Sequence, residues 1–126
     1  MSPSIAISPL AAAEAAQHVA ELGALLHACV HNGASIGFVL PFSAAESESY
    51  WRSKVLPRVQ DGVVVLQVAR KDGRIVGSVQ LDYDTPPNQP HRAEVRKLLV
   101  HPDCRRQGTA KALMFAIESR AVALGR

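Results

Sequence analysis

Cysteine, aromatic side chains and long apolar runs are all scarce in this chain, and each scarcity closes off a class of function. The only cysteines are Cys29 and Cys104, far apart in sequence, which argues for reduced thiols and against a disulfide framework. Aromatic residues are 5% of the chain, and no stacking pattern of them accompanies the basic residues, as single-stranded nucleic acid would require. No block of five or more like charges occurs, and the formal charge of +3 is a mild basic excess. A local anionic ligand explains it more economically than a nucleic acid does. No apolar run approaches a membrane span. The start "MSPSIAISPLAAAEAA" has neither the basic region nor the long apolar region of a signal peptide. Neither G-x-x-x-x-G-K-[ST] nor G-x-G-x-x-G is present, which sets aside the common nucleotide cradles. The expectation is a cytoplasmic domain with no membrane and no nucleic acid among its partners. At 126 residues, 48% of them apolar, the chain affords one core and is too short for two.

What is there follows two periods. Ile5 to Ser8 reads as a short strand, and Ser8-Pro9 as a helix start, with Ser as N-cap and Pro in the first helical position. Val19, Leu22, Leu25, Leu26, Cys29 and Val30 recur at helical spacing, so one long helix is predicted to about His31, stopped by Asn32-Gly33. "GASIGFVLPFS" is an apolar loop, after which Ser43-Ala44-Ala45-Glu46 is a capping box. The second helix then runs through Tyr50, Trp51 and Val55, and Pro57 should end or kink it. Beyond Asp61-Gly62, two β-rich runs flank Asp72-Gly73, a strong hairpin signal. "RAEVRKLLV" is a third strand, and Gln107 to Leu124 a closing helix with Leu113, Ile117, Val122 and Leu124 apolar. Gly125 is its expected C-cap. The predicted class is α/β: strand, two helices, three mostly antiparallel strands, helix.

The junction "KLLVHPDCRRQGTAKALM" carries the chemistry. A helix starting near Gly108 leaves its first amide N–H groups unpaired and places partial positive charge there. Arg105, Arg106 and Lys111 add full charges, Gly108 lets backbone approach a bulky anion, and Ala110 is small enough to hold the helix close to a sheet. Together these make a pyrophosphate cradle; the plain alternative is a strand-to-helix turn with a solvated basic rim.

These residues resemble the acetyl-CoA-binding motif of the GCN5-related N-acetyltransferases (the GNAT superfamily), a strand L-x-V-x-P followed by [QR]-x-x-G-x-[GA]. Arg105, Gly108 and Ala110 stand at its defining positions. "HNGASIGF" and "RAEVRKLLV" are most similar to the tabtoxin-resistance type, which modifies a small amine-bearing antibiotic. The resemblance implies that Leu98, Leu99 and Val100 line and hydrogen-bond the pantetheine arm of acetyl-CoA. It implies that Arg105, Arg106, Gln107, Gly108, Thr109, Ala110 and Lys111 bind the pyrophosphate, largely through main-chain amides. The implied partner is a small amine substrate.

Acetyl transfer needs a neutral amine, hence a proton acceptor. Glu94 has even spacing to Leu98 and Val100, which places the three on one face of a regular strand. Burial there would raise its pKa; a Glu in "RAEV" of the tabtoxin-resistance type matches it. A structural ion pair with Arg92, Arg96 or Lys97 is the competing reading. Other chemistry-bearing residues offer less. His27 and His31 sit at i, i+4 without a glutamate or third ligand, so no metal site is expected. Cys104 lies beside the arginines but lacks a partner histidine pattern. Tyr50 and Trp51 read as packing, although the helix pair and "GASIGF" wall the acceptor site in the family. Asp82 and Asp84 either attract a cationic substrate or cap a solvated strand end.

The family pattern continues with a further strand, helix and hairpin beyond the closing helix, so the resemblance implies a domain that is C-terminally incomplete. Arg92 to Val100 would then be an apolar edge strand, to be covered by more of a longer protein, or by a second chain in a homo-oligomer. A non-catalytic CoA-binding or interaction module is the alternative function.

Overall fold

The structure is a computed structural model that describes residues 5–31, 43–83, 93–104 and 107–124. Strand β1 (Ile5–Pro9) leads into helices α1 (Ala12–Gln17) and α2 (Val19–His31). Helix α3 (Ala44–Tyr50), a π turn (Trp51–Val55) and α4 (Leu56–Gln60) follow. Strands β2 (Val64–Lys71), β3 (Arg74–Asp82) and β4 (Glu94–Val100) then run to a short 3-10 turn (Pro102–Cys104) and α5 (Thr109–Ala123). The four strands form one sheet in the order β1-β2-β3-β4, antiparallel throughout. This is the predicted α/β order, with differences in detail that have physical causes.

Ser8-Pro9 does not start a helix. β1 continues through Pro9, paired with Gln67 at the sheet edge where a residue without an N–H is tolerated, and the Leu10 N–H donates to the Leu66 carbonyl. Nor is the first helix continuous. His18 leaves the helical conformation (φ −110°, ψ 20°), its ring nitrogen lies 3.0 Å from the Glu21 carboxylate, and its carbonyl accepts the Leu22 N–H to open α2. The Ser43 capping box is present in both directions, Glu46 N–H to Ser43 Oγ at 3.0 Å and Ser43 N–H to Glu46 Oε1 at 3.3 Å. Pro57 does not end the helical run, although the regular α-helix is interrupted just before it. The π turn before it loosens the backbone ladder, and Pro57 falls in the first turn of α4, where its missing donor is not needed.

The Asp72-Gly73 turn takes positive φ at both residues, 54° and 78°, the type I′ geometry that suits strand twist. Two layers cover the sheet. On one face, Leu22, Leu25, Leu26, Trp51 and Val55 pack with Leu66, Val68 and Leu99. On the other, Leu113 and Ile117 of α5 pack with Ala69, Val79 and Leu81. Val122 is 76% exposed and does not join that core; α5 meets the sheet through Thr109, Leu113, Ile117 and Ala121. The predicted loop from Gly33 and the Gly125 cap lie outside the described residues.

Candidate functional site at the β4–α5 junction

Two features shape β4. It is the last strand of the sheet, and no strand pairs with its outer edge among the described residues. It also carries a bulge. Ser78 faces Leu99 and Gln80 faces Arg96, so Lys97 and Leu98 together oppose the single residue Val79. Lys97 absorbs the extra residue with φ of 52°, a conformation uncommon for a side chain with a Cβ. The bulge inverts the alternation that sequence spacing assumes. Glu94 and Arg96 therefore share a face with Leu99, not with Leu98 and Val100. Leu99 is buried among the α2-side residues, Val100 packs on the α5 side, and Leu98 is exposed.

Beyond β4, the His101 N–H donates to the Val76 carbonyl, and the 3-10 turn buries Cys104. Arg105 and Arg106, expected in the cradle, lie outside the described residues. Gly108 is the N-cap of α5, with φ of 78° and no side-chain cap. Empty space lies beside it, since a Cβ built there meets nothing within 4 Å. The amides that open α5 thus have no side chain of Gly108 competing for them. Lys111 is exposed on the first turn, while Gln107 accepts from Lys71 Nζ at 3.1 Å.

Ala110 does not seat the helix, because it is exposed. That contact belongs to Thr109, which is buried, and to Gly77 on β3. A Cβ at Gly77 would lie 2.9 Å from Leu113 Cδ1, 3.1 Å from the Leu99 carbonyl oxygen and 3.3 Å from Thr109 Cγ2. Only a residue without a side chain lets α5 and β4 approach β3 this closely. A Gly inside a strand pattern is the sequence signal that would have located it. Cys29 also proves relevant: its thiol donates to the Val100 carbonyl at 3.3 Å and ties α2 to the end of β4.

Glu94 sits at the other end of β4. Its carboxylate accepts from Arg96 Nη2 at 2.8 Å and its side chain is 41% exposed, so the expected burial is absent and the ion pair with Arg96 is present. Arg96 also approaches Asp82 at 3.4 Å. Asp82 is buried and takes two bonds from Arg58, at 2.6 and 3.1 Å. Its charge is thereby balanced within the protein, which removes it as an attractor for a cationic substrate; Asp84 lies outside the described residues. Next along β3 is Gln80, whose side chain hydrogen-bonds Tyr50. Burial pushes the Tyr50 phenol above its ordinary pKa, with the Gln80 bond and the Arg96 charge opposing, so the hydroxyl stays protonated near neutrality. His27 and His31 stack with ring centroids 4.3 Å apart.

The acetyltransferase (GNAT) family model matches residues 38–126, a stretch that includes the bulged β4 and the open helix start at Gly108. The chain belongs to this family. An acetyltransferase of Pectobacterium atrosepticum is 43% identical over 58 residues, which is 46% of this chain and 38% of that protein. The matched stretch is therefore well under half of that relative. An N-acetyltransferase from Staphylococcus aureus Mu50 shares the fold, with a TM-score of 0.72 at 17% identity over 97% of this chain and 68% of that one. So does the paia N-acetyltransferase from Thermoplasma acidophilum, solved in complex with coenzyme A, with a TM-score of 0.70 at 18% identity over 97% of this chain and 74% of that one. Among the described residues no helix is long and apolar enough to cross a membrane.

Proposed function

We infer that this GNAT chain serves acetyl transfer from acetyl-CoA to the amine of a small molecule, of the antibiotic or amino-acid-derivative class. The observation that carries the reading is the open Gly108 N-cap at the end of a bulged, edge-exposed β4. Acetyl-CoA supplies the activated acetyl thioester. The amides around Gly108, Thr109, Ala110 and Lys111 would hold its diphosphate, aided by the Lys111 charge and by Arg105, Arg106 and Gln107. The outer edge of β4, which no strand pairs among the described residues, would offer backbone groups at Leu98, Leu99 and Val100 to the pantetheine arm. A main-chain donor there would polarise the thioester carbonyl. Glu94 receives the amine proton, directly or through a water. It lies on the sheet face that α2 packs against, its side chain 41% exposed and its carboxylate held by Arg96, so an acceptor reaches it by displacing that pair. A further strand on the β4 edge, from more of the protein or from a second chain, would close the arm's other side.

Calorimetric titration with acetyl-CoA, followed by thiol release on adding amines, tests this. Binding with turnover supports the transferase. Binding without turnover would favour a CoA-binding module, and failure of CoA and acetyl-CoA to bind would end the reading.

A further inference from the structure

The Glu94 end of β4 carries more polar chemistry than proton removal requires. Gln80 faces Arg96 directly, and Asp82 faces Glu94, so these side chains share one face of the sheet. The Gln80 amide nitrogen is buried; at most one of its two N–H groups reaches the Tyr50 oxygen, and the other has no partner. Ser78 continues the same face, and its buried hydroxyl is also unsatisfied. Buried donors without partners are uncommon and costly, and are expected where a ligand completes them. Arg96 stands beside Gln80, half exposed, anchored by Asp82 and turned onto Glu94. Asp82 itself is held by Arg58.

We propose that Arg96 and the Gln80 amide form a carboxylate-recognising subsite, and that the acceptor is an α-amino acid or a close derivative that keeps its carboxylate beside its amine. This rests on the acetyl-transfer reading above and names its substrate class. The argument is one of charge exchange. The resting site closes on an acid and a base 2.8 Å apart, Glu94 and Arg96. An α-amino acid carries an ammonium and a carboxylate on neighbouring carbons. Entering between the two side chains, it replaces their mutual pair by two new ones: ammonium to Glu94 and carboxylate to Arg96. The Gln80 amide gains an acceptor in the same step. A plain amine can satisfy Glu94 only by taking it from Arg96, which then keeps Asp82 alone, and it offers the Gln80 amide no acceptor, which penalises it. The same exchange frees Glu94 from Arg96 at the moment its proton-accepting role begins. Arg96 is thus a specificity and positioning residue, and Asp82 with Arg58 holds it in place.

The test is equilibrium binding by calorimetry, with and without CoA, of the common α-amino acids, each set against the amine left when its carboxylate is removed. At least one amino acid should bind roughly tenfold or more tightly than its amine. Arg96→Gln should erase that difference while leaving acetyl-CoA affinity unchanged, and Gln80→Leu should reduce it. Circular dichroism of both variants checks that they fold, and either alone suffices to judge the subsite. Equal affinity for amine and amino acid, no binding by any amino acid, or a preference that survives in the folded variants would overturn the proposal. Acetyl-CoA binding, measured on the same samples, reports separately on the acetyl-transfer reading.

Discussion

Glu94 and Leu99 lie on the same face of β4 although an odd number of positions separates them. In a regular strand that spacing puts side chains on opposite faces. The bulge at Lys97 and Leu98 reverses the count, so one strand presents Glu94 toward the α2 and α3 side and still buries Leu99 beneath α2. The Glu94–Arg96 pair at one end of β4 and the packing at its other end depend on that single inserted residue.

Lys97 therefore bears backbone strain, and its release can be measured. Lys97→Gly should stabilise the protein by about 0.5–1 kcal/mol, because glycine occupies positive φ without the Cβ penalty. A Gly elsewhere in β4 should cost a similar amount. Urea midpoints of the two variants make the comparison, and destabilisation by Lys97→Gly would mean that the bulge is not where it is described.

Gly108 has open space beside it but a φ of 78°. Gly108→Glu should thus cost only about 1–2 kcal/mol of stability, from conformation rather than clash. It should remove acetyl-CoA binding altogether, since a carboxylate would compete for the helix amides and repel the diphosphate. Thermal unfolding and calorimetry read the two effects independently.

Gly77 is the opposite case, without positive φ but without room. Gly77→Ala should destabilise by about 1–3 kcal/mol. The Leu99 carbonyl at 3.1 Å is backbone and cannot swing aside as the Leu113 side chain can. Denaturant unfolding measures the loss, and acetyl-CoA affinity should fall with it because the start of α5 must shift.

Arg58→Ala should leave the buried Asp82 carboxylate short of its bidentate partner, with Arg96 alone nearby at 3.4 Å. A cost of about 1–3 kcal/mol is expected. Asp82→Asn in the same background should recover part of it by removing the stranded charge, a double-mutant cycle that measures the pair directly.

Glu21 gives the fold an acid limit. The Ile75 N–H that its carboxylate accepts at 3.0 Å holds its pKa below the ordinary carboxyl value, with His18 and Arg70 assisting against partial burial. A depressed folded pKa contributes stability that is present above the unfolded value and is lost as pH falls through the folded one. Glu21→Gln should therefore be less stable than the parent at neutral pH. The gap should close as the solution is acidified from pH 7 toward about pH 3. A constant gap across that range would mean that the bond contributes no charge-dependent stability.

Much of this could be read from the residues in order. The Ser43-to-Glu46 box, the Asp72-Gly73 turn and the strand-to-helix punctuation at Gly108 are local signals, satisfied by groups within a few positions. The helix break at His18 was not legible, because it depends on a ring-to-carboxylate contact and on a strand that keeps Pro9 paired with Gln67. The exposure of Ala110 and the tight contact at Gly77 are hidden in the sequence for the same reason: which small residue lies under a helix is settled by the opposing strand.

The amino-acid order alone determined the sequence of elements, the family and the place where an anion can meet a helix start, since turns, caps and hydrophobic periods act over short range. The tertiary structure decided which way Glu94 faces, that Asp82 is already neutralised, and that Gln80 and Arg96 face each other across β3 and β4. Those depend on strand register, and register comes from pairing between segments far apart in the chain, where one inserted residue turns every later side chain over.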